Sequence, residues 1–247
     1  MRPPGDTYPE CVVRNRSVSP IDLDLARDQH SKFAEKLQQA GAKVKMLRPL
    51  SQFPDSVFIE DAAIVLDDRA IICSFAEPSR AGEEMELSRD LTGMAEMDFI
   101  VPPAHIDGGD CLIAEHSIFV GVSDRTNCEA VHQLREKLPK FKIHSVKVNP
   151  EKLLHLKTGA SYVGRNTIVI APHLVSPEHF EGFRLVEVPR EESVAANCVY
   201  VGPNVFVPSG CPITNEKLAA LDFNVNNVEI SEFVKGDGSL TCLCLFV

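Results

Sequence analysis

The chain has 247 residues, 44% apolar and 24% charged, with 35 acidic against 25 basic side chains and a formal net charge of −10. That length can bury a substantial core, and the composition is that of an ordinary soluble globular protein. The acidic balance and scattered Lys and Arg exclude a nucleic-acid footprint, no stretch reaches membrane-spanning length, and the first residues lack a signal-peptide core, so a cytoplasmic protein with no membrane partner is expected.

Turn residues divide the chain into short pieces. Residues 10–14 read as a strand. Helical periodicity runs over 22–40 through Leu25, Phe33, Ala34, Leu37 and Ala40, with Gly41 placed to end the helix. A strand over 43–47 stops before Arg48-Pro49, and two more follow at 57–66 and 70–74. Residues 81–94 have a helical pattern, and 98–101 form a strand. A hairpin over 111–114 and 117–122 turns at Glu115-His116, and a helix over 127–138 leads to a strand at 142–148. Strands 161–163 and 167–170 flank Gly164-Arg165-Asn166, and strands 199–201 and 205–207 flank Gly202-Pro203-Asn204. A helix over 214–221 and strands at 227–230 and 240–246 complete the order. Hairpin, helix and strand thus recur every roughly 45–55 residues, a period that suits a closed ring of modules. The ring is completed if the N-terminal strand pairs with the last one. Repeated hairpins, and the lack of a glycine-rich phosphate loop after any strand, argue against a doubly wound sheet.

The cysteines at 11, 73, 111, 128, 198, 211, 242 and 244 form no CxxC and read as reduced thiols. Cys242 and Cys244 are two apart, so on a regular strand they share a face, and alternation does not choose between them as a reactive group. In the run 53–61, strand alternation puts Asp55, Val57, Ile59 and Asp61 on one side and Phe58 and Glu60 on the other. Such acids either keep strand ends soluble or face a cation, and a planar guanidinium suits paired carboxylates. Asp107 and Asp110 lie in a Gly-Gly turn that lacks the ligand spacing of a calcium loop. His155 sits among leucines, either as a structural histidine or as the proton acceptor a nucleophilic thiol needs. Arg80 and Arg125 stand in loops after strands, suited to surface ion pairs or to a substrate carboxylate. No histidine pair has helical metal spacing, so no metal is expected.

Seven segments appear in a specific order: FPDSVFIED at 53–61, PSR at 78–80, DGGD at 107–110, SDRTN at 123–127, LHLKTG at 154–159, AANCVYV at 195–201 and DGSLTC at 237–242. Together they resemble the dimethylarginine dimethylaminohydrolase family of the guanidino-group-modifying, or pentein, superfamily, over nearly the whole chain. The resemblance implies an α/β fold, a five-bladed α/β propeller, with residues 1–247 as a single catalytic domain around a central channel. By position, Cys242 is then the nucleophile rather than Cys244, and His155 the general acid/base. Asp61 orients the guanidinium, with Asp107 beside it. Arg80 and Arg125 bind the substrate carboxylate, Asp55 the α-amino group, Glu60 supports Asp61, and Phe58 lies by the pocket.

The implied reaction hydrolyses Nω-methylated L-arginine to L-citrulline and an amine through a covalent thiouronium, with no metal or organic cofactor. The partner is a small cationic guanidino amino acid, and a homodimer is compatible with the resemblance. Two departures bear on substrate choice. Residues 14–20 pass quickly into the first helix, so the substrate cover reads as shortened, and Gly236 stands where related chains tend to carry a bulkier residue. Deiminase-like hydrolysis of another guanidino compound, or binding without catalysis, are the alternatives.

Overall fold

Asp22 starts helix α1 (Leu23–Gln39): its carboxylate accepts the Leu25 amide at 3.0 Å, and Gly41 ends the helix at a φ of 98°. The face carrying Ala26, Phe33 and Leu37 is buried, as the periodicity requires. In this computed structural model, which describes residues 1–14, 19–66 and 68–247, α1 belongs to one of five modules. Four of them carry three-stranded sheets.

The first sheet module comprises β1 (Ala63–Leu66), β2 (Arg69–Ile72), α2 (Glu83–Leu91) and β3 (Glu96–Phe99). The second is β4 (Cys111–Ala114), β5 (Ser117–Val122), α3 (Cys128–Lys137) and β6 (Lys142–Lys147). A single helical turn, α4 (Leu156–Gly159), leads the third: β7 (Ala160–Tyr162), β8 (Thr167–Ile170) and β9 (Arg184–Glu187). The fourth is β10 (Val199–Val201), β11 (Asn204–Pro208), α5 (Pro212–Ala219) and β12 (Asn224–Val228).

Every sheet has the same plan. The first strand is antiparallel to the second, and the third, after the crossover, is parallel to it. The second strand is therefore central. Its sequence shows why: Ala70-Ile71-Ile72, Ile118-Phe119-Val120, Ile168-Val169-Ile170 and Val205-Phe206-Val207 are unbroken apolar runs, and all are buried. The third strands are the half-exposed rim. The fifth module joins α1, residues 42–47 and the C-terminal residues 243–247 through one apolar cluster that includes Phe33, Val44, Phe206 and Cys244.

Several expected elements are replaced. Residues 57–66 are not one strand: 3-10 turns at Pro54–Val57 and Ile59–Ala62 precede β1, with Pro54 starting the first. Residues 10–14 make no ladder, because the Val12 amide is taken by the Asp55 carboxylate and the Arg14 amide by Asp237. Residues 240–246 begin with a 3-10 turn, Thr241–Leu243, since the Thr241 amide is held by Asn197 at 2.9 Å. Among the described residues neither 10–14 nor 240–246 forms a ladder, so the expected pairing of the N-terminal strand with the last is not formed, and the backbone of the expected strand at 43–47 bonds to Met1 instead. The helix expected over 81–94 is shorter, β12 begins three residues early, and β9 was not anticipated. Of the expected cover at 14–20, residues 15–18 lie outside the described residues. Among the described residues, no helix is long and apolar enough to cross a membrane.

A turn precedes the first strand of four modules, 59–62, 107–110, α4 and 190–196, and in the fifth the turn 241–243 precedes residues 244–247, which form no ladder among the described residues. These turns pack side by side around one axis, with 59–62 against 107–110 and 241–243, and α4 against 107–110 and 190–196. The Asn197–Thr241 bond closes the circle.

Phe33 is fully buried, its ring 6.0 Å from that of Phe206, and it joins the fifth module to the fourth. Phe33→Ala is expected to lower the unfolding free energy by about 3–5 kcal/mol in urea titration. A loss under about 1 kcal/mol would mean the two modules do not share a packed core.

Candidate active site

The circle of turns carries Asp61, Asp107, His155, Asn197 and Cys242, one in or beside the turn of each module. Four of these were singled out from the sequence, and Asn197 was not.

His155 Nε2 lies 2.9 Å from Asp107 Oδ2, and its Nδ1 lies 3.7 Å from Asp61 Oδ1. The first is a hydrogen bond. The second is too long for one, which leaves Nδ1 open to a transferring proton. Asp61 Oδ1 accepts the Gly109 amide at 3.1 Å. A Cβ on Gly109 would stand 2.7 Å from both Asp61 Oδ1 and His155 Nδ1, and one on Gly108 would stand 2.1 Å from the Glu60 carbonyl. The two glycines are what let carboxylate and imidazole close up. Asp110 holds the arrangement from behind, accepting the Ser123 and Thr126 hydroxyls and the Leu156 amide.

Arg80 is brought to the pocket, but its charge is already engaged. Nη1 donates to Asp61 Oδ2 at 2.7 Å, Nη2 to Glu83 at 2.8 Å and to the Phe58 carbonyl at 3.2 Å. Its guanidinium also lies over the Phe75 ring, 4.5 Å from the centroid. Arg125 is less committed, 3.8 Å from Glu77. Asp55 and Phe58 line the same pocket with Arg80, Arg125, His155 and Cys242. Glu60 turns away to a separate buried network: Lys157 Nζ and Thr241 Oγ1 each reach it at 2.6 Å. Asn197 bonds Thr241 through both ends of its amide and the Lys157 carbonyl as well. The turn that carries Cys242 is thus anchored one residue before it.

The 3-10 turn also separates the two cysteines that a strand would have aligned. Cys242 lines the pocket, whereas Cys244 is buried against the Leu240 carbonyl in the apolar cluster.

Protonation follows from this geometry. Burial opposes the His155 imidazolium, but Asp61, Asp107 and Asp110 outweigh it and raise its pKa from 6.5 to about 9. Burial also opposes the Asp61 carboxylate, yet His155 and Arg80 hold its pKa below the usual range. Glu83 is pushed up by burial to about 7 despite Arg80. Burial, then Glu60 and Asp61, push the Cys242 thiol well above its ordinary range, against a smaller opposing pull from Lys157. These shifts favour an imidazolium at His155 and a neutral thiol at Cys242 in the free pocket.

Asp61, Asp107 and His155 offer ligand atoms within 4.8 Å of one another. Arg80 already places a cation 2.7 Å from Asp61, and the cluster suits proton transfer and guanidinium binding better than a metal ion. The pocket is small, about 20 Å³, and Val12, Gly236, Asp237 and Gly238 also line it. A Cβ on Gly236 would meet the Tyr8 hydroxyl at 2.8 Å, so the usual bulkier residue does not fit there. Lys157, Thr241 and Asn197 all lie in motif segments. Only their partners, far apart in sequence, reveal what they do. Glu83, three residues after Arg80 on the first turn of α2, had a readable i,i+3 signal.

A ring of modules with carboxylates, an imidazolium and a thiol at its axis defines a guanidino-group-modifying protein of the propeller type. A family model described as N,N dimethylarginine dimethylhydrolase, eukaryotic, matches residues 14–245, and the chain belongs to this family. The N(G),N(G)-dimethylarginine dimethylaminohydrolase of Pseudomonas aeruginosa is 37% identical, over 91% of this chain and 89% of the relative. That of Streptomyces coelicolor is 31% identical, over 98% and 94%. The Pseudomonas enzyme solved as a cysteine-to-serine mutant with citrulline superposes with a TM-score of 0.93 at 32% identity, covering 98% of this chain and 95% of that one. The N-terminal domain of ArgZ, a cyanobacterial arginine dihydrolase, shares the fold at a TM-score of 0.91 and 21% identity, covering 99% and 95%.

An NMR titration of the His155 imidazole is expected to show a midpoint near 9, moving toward 6.5 in Asp61→Asn. Because the folded value is the higher one, this group stabilises the fold fully below about pH 6.5 and loses that contribution as pH rises through about 9. A wild-type midpoint near 6.5 would contradict the electrostatic reading. Gly109→Ala is expected to lower the midpoint as well, by prising Asp61 and His155 apart.

Proposed function

We propose that the chain is a dimethylargininase-type hydrolase that converts Nω-methylated L-arginine, asymmetric dimethylarginine included, to L-citrulline and methylamine or dimethylamine. The observation that carries this is the meeting of Cys242, His155 and Asp61 in one pocket, in a chain that belongs to the family. In this reading residues 1–247 act as one catalytic domain. The eight free cysteines support a reducing, cytoplasmic setting.

The substrate guanidinium takes a place beside Asp61, the carboxylate already shared by Arg80 and His155. Asp55, whose other contacts are with the Val12 amide, faces the α-amino end, and Arg125 offers the freer charge for the carboxylate. Arg80 acts mainly by keeping Asp61 ionised. The incoming positive charge lowers the pKa of Cys242, whose proton passes to solvent water, and the sulfur adds to the central guanidinium carbon. His155 gives its proton to the departing amine, the C–N bond breaks, and an S-alkylthiouronium remains. The now neutral imidazole takes a proton from water as its oxygen attacks the same carbon. The adduct's hydroxyl proton then passes to sulfur as the C–S bond breaks, giving citrulline and the Cys242 thiol. One residue serves as acid and then as base, while Asp107 holds its ring.

Incubation with asymmetric dimethylarginine, followed by mass detection of citrulline, tests the assignment, with arginine as the competing substrate. Citrulline is expected from dimethylarginine in preference to arginine. Preference for arginine would make the chain a deiminase, and no product from either would leave a binding protein. Cys242→Ser is expected to abolish turnover, and His155→Ala to lower it by about 10²–10⁴-fold.

A further inference from the structure

Glu60, Lys157, Thr241 and Asn197 close a ring of hydrogen bonds beside the substrate pocket. Lys157 Nζ donates to Glu60 Oε1 and the Thr241 hydroxyl to Glu60 Oε2, each at 2.6 Å. Asn197 Nδ2 donates to Thr241 Oγ1 at 3.0 Å and to the Lys157 carbonyl at 2.9 Å, while its Oδ1 accepts the Thr241 amide at 2.9 Å. An ionised carboxylate only accepts, so the Thr241 proton points to Glu60 and leaves a lone pair for Asn197. Every direction in the ring is thereby fixed. Glu60, Asn197 and Thr241 are buried, and the Lys157 side chain is 17% exposed.

Three members of the ring adjoin groups of the pocket: Glu60 precedes Asp61, Thr241 precedes Cys242, and Lys157 follows His155 by two. A buried ion pair is costly to desolvate, and well-packed neutral groups often hold a fold as well, so stability alone is a weak reason for the two charges. The Cys242 sulfur offers a better one. Burial pushes the thiol up most, Glu60 and Asp61 push it further, and Lys157 pulls it back. Burial opposes the Lys157 ammonium, but Glu60, with smaller help from Cys111 and Cys242, holds its pKa above the ordinary lysine value. Tyr8 also faces Cys242, and Asp55, Arg80, Arg125, His155 and Asp237 line the pocket with it. Lys157 and Glu60 do not line that pocket, so an arriving substrate neither pairs with their charges nor displaces them.

We propose that Lys157 and Glu60 are positioning residues for the reaction at Cys242, a charge pair outside the substrate pocket that acts on the sulfur with opposite signs and is tied to its turn through Thr241. Glu60 keeps the free thiol neutral. Lys157 limits that effect, so that one arriving cation suffices to ionise the sulfur. The inference rests on Cys242 as the proposed nucleophile and needs no particular guanidino substrate.

Alkylation by iodoacetamide, followed by mass spectrometry of the Cys242 peptide, tests the proposal in the free protein. Only the thiolate reacts, and no substrate is used, so a failed dimethylarginine assay would leave this result readable. At one mildly alkaline pH, Glu60→Gln is expected to speed the reaction by about threefold or more, and Lys157→Met to slow it by as much, about half a pKa unit each way. The double variant Glu60→Gln/Lys157→Met is expected to return toward the wild-type rate. Each leg of this cycle decides alone. If thermal melting shows one single variant unfolded, the other is compared with the double, which is expected to be slower than Glu60→Gln and faster than Lys157→Met. Equal rates along a leg would overturn the proposal. So would a change in the same direction in both single variants, which would reduce the ring to mechanical support of the turn.

Discussion

The Asp61 carboxylate is almost fully buried and stays charged, and much of the site is arranged around that demand. Stripping a carboxylate of water costs several kcal/mol unless cations and donors replace the water. Here Arg80 meets one oxygen, while the Gly109 amide and the His155 ring face the other. Each replacement imposes something further. Arg80 must be drawn out of solvent and balanced by Glu83. Gly108 and Gly109 must be glycines, because a Cβ at either would force the carboxylate, the imidazole or the Glu60 backbone away. His155 is kept protonated near neutrality and fixed in orientation by Asp107.

The same negative surroundings hold Cys242 as a thiol. Glu60 and Asp61 both disfavour a thiolate, and burial disfavours it more. What the pocket lacks is one more positive charge, and a guanidinium supplies it on arrival. Each pKa unit of thiol acidification needs only about 1.4 kcal/mol, so a cation brought into a dry pocket is a sufficient source. A thiol that stays neutral until a cation charges the site is protected from other electrophiles. This direction favours a thiolate formed on substrate binding over a preformed ion pair, the two routes that the residue types alone leave open.

The modular plan was readable in the sequence because hairpin turns and buried central strands leave strong local marks. Gly41, Gly164-Arg165-Asn166 and the run Val205-Phe206-Val207 each mean one thing in context. The site was readable as residue identities but less as geometry. Strand alternation split Asp55 and Asp61 from Glu60 on the wrong basis, because side-chain and backbone partners far away in sequence fold 54–62 into two 3-10 turns. Cys242 and Cys244 looked equivalent for the same reason, until the Asn197 grip on Thr241 turned the chain. Arg80 read as an arginine for a surface ion pair or a substrate carboxylate; Glu83 at i+3 was a local signal, but nothing local says that Asp61 also reaches it. Asn197 carried no chemistry of its own to draw notice. Its importance is positional, as the fourth module's member of a circle in which the other modules place an acid, an acid, an imidazole and a thiol.

That circle explains how a chain of short, similar pieces builds a site with no long element in it. Each turn is fixed by the strand it precedes, and each strand by its sheet, so the axis is as rigid as the modules around it. The central claim is that the resting site pairs an imidazolium with a neutral thiol. Ultraviolet titration of thiolate absorbance, taken as wild type minus Cys242→Ser, tests it most directly. The account predicts no Cys242 thiolate at neutral pH in the free protein, with ionisation only in the alkaline range above the His155 midpoint of about 9. A full thiolate signal at neutral pH would mean a preformed ion pair with His155, and would contradict it.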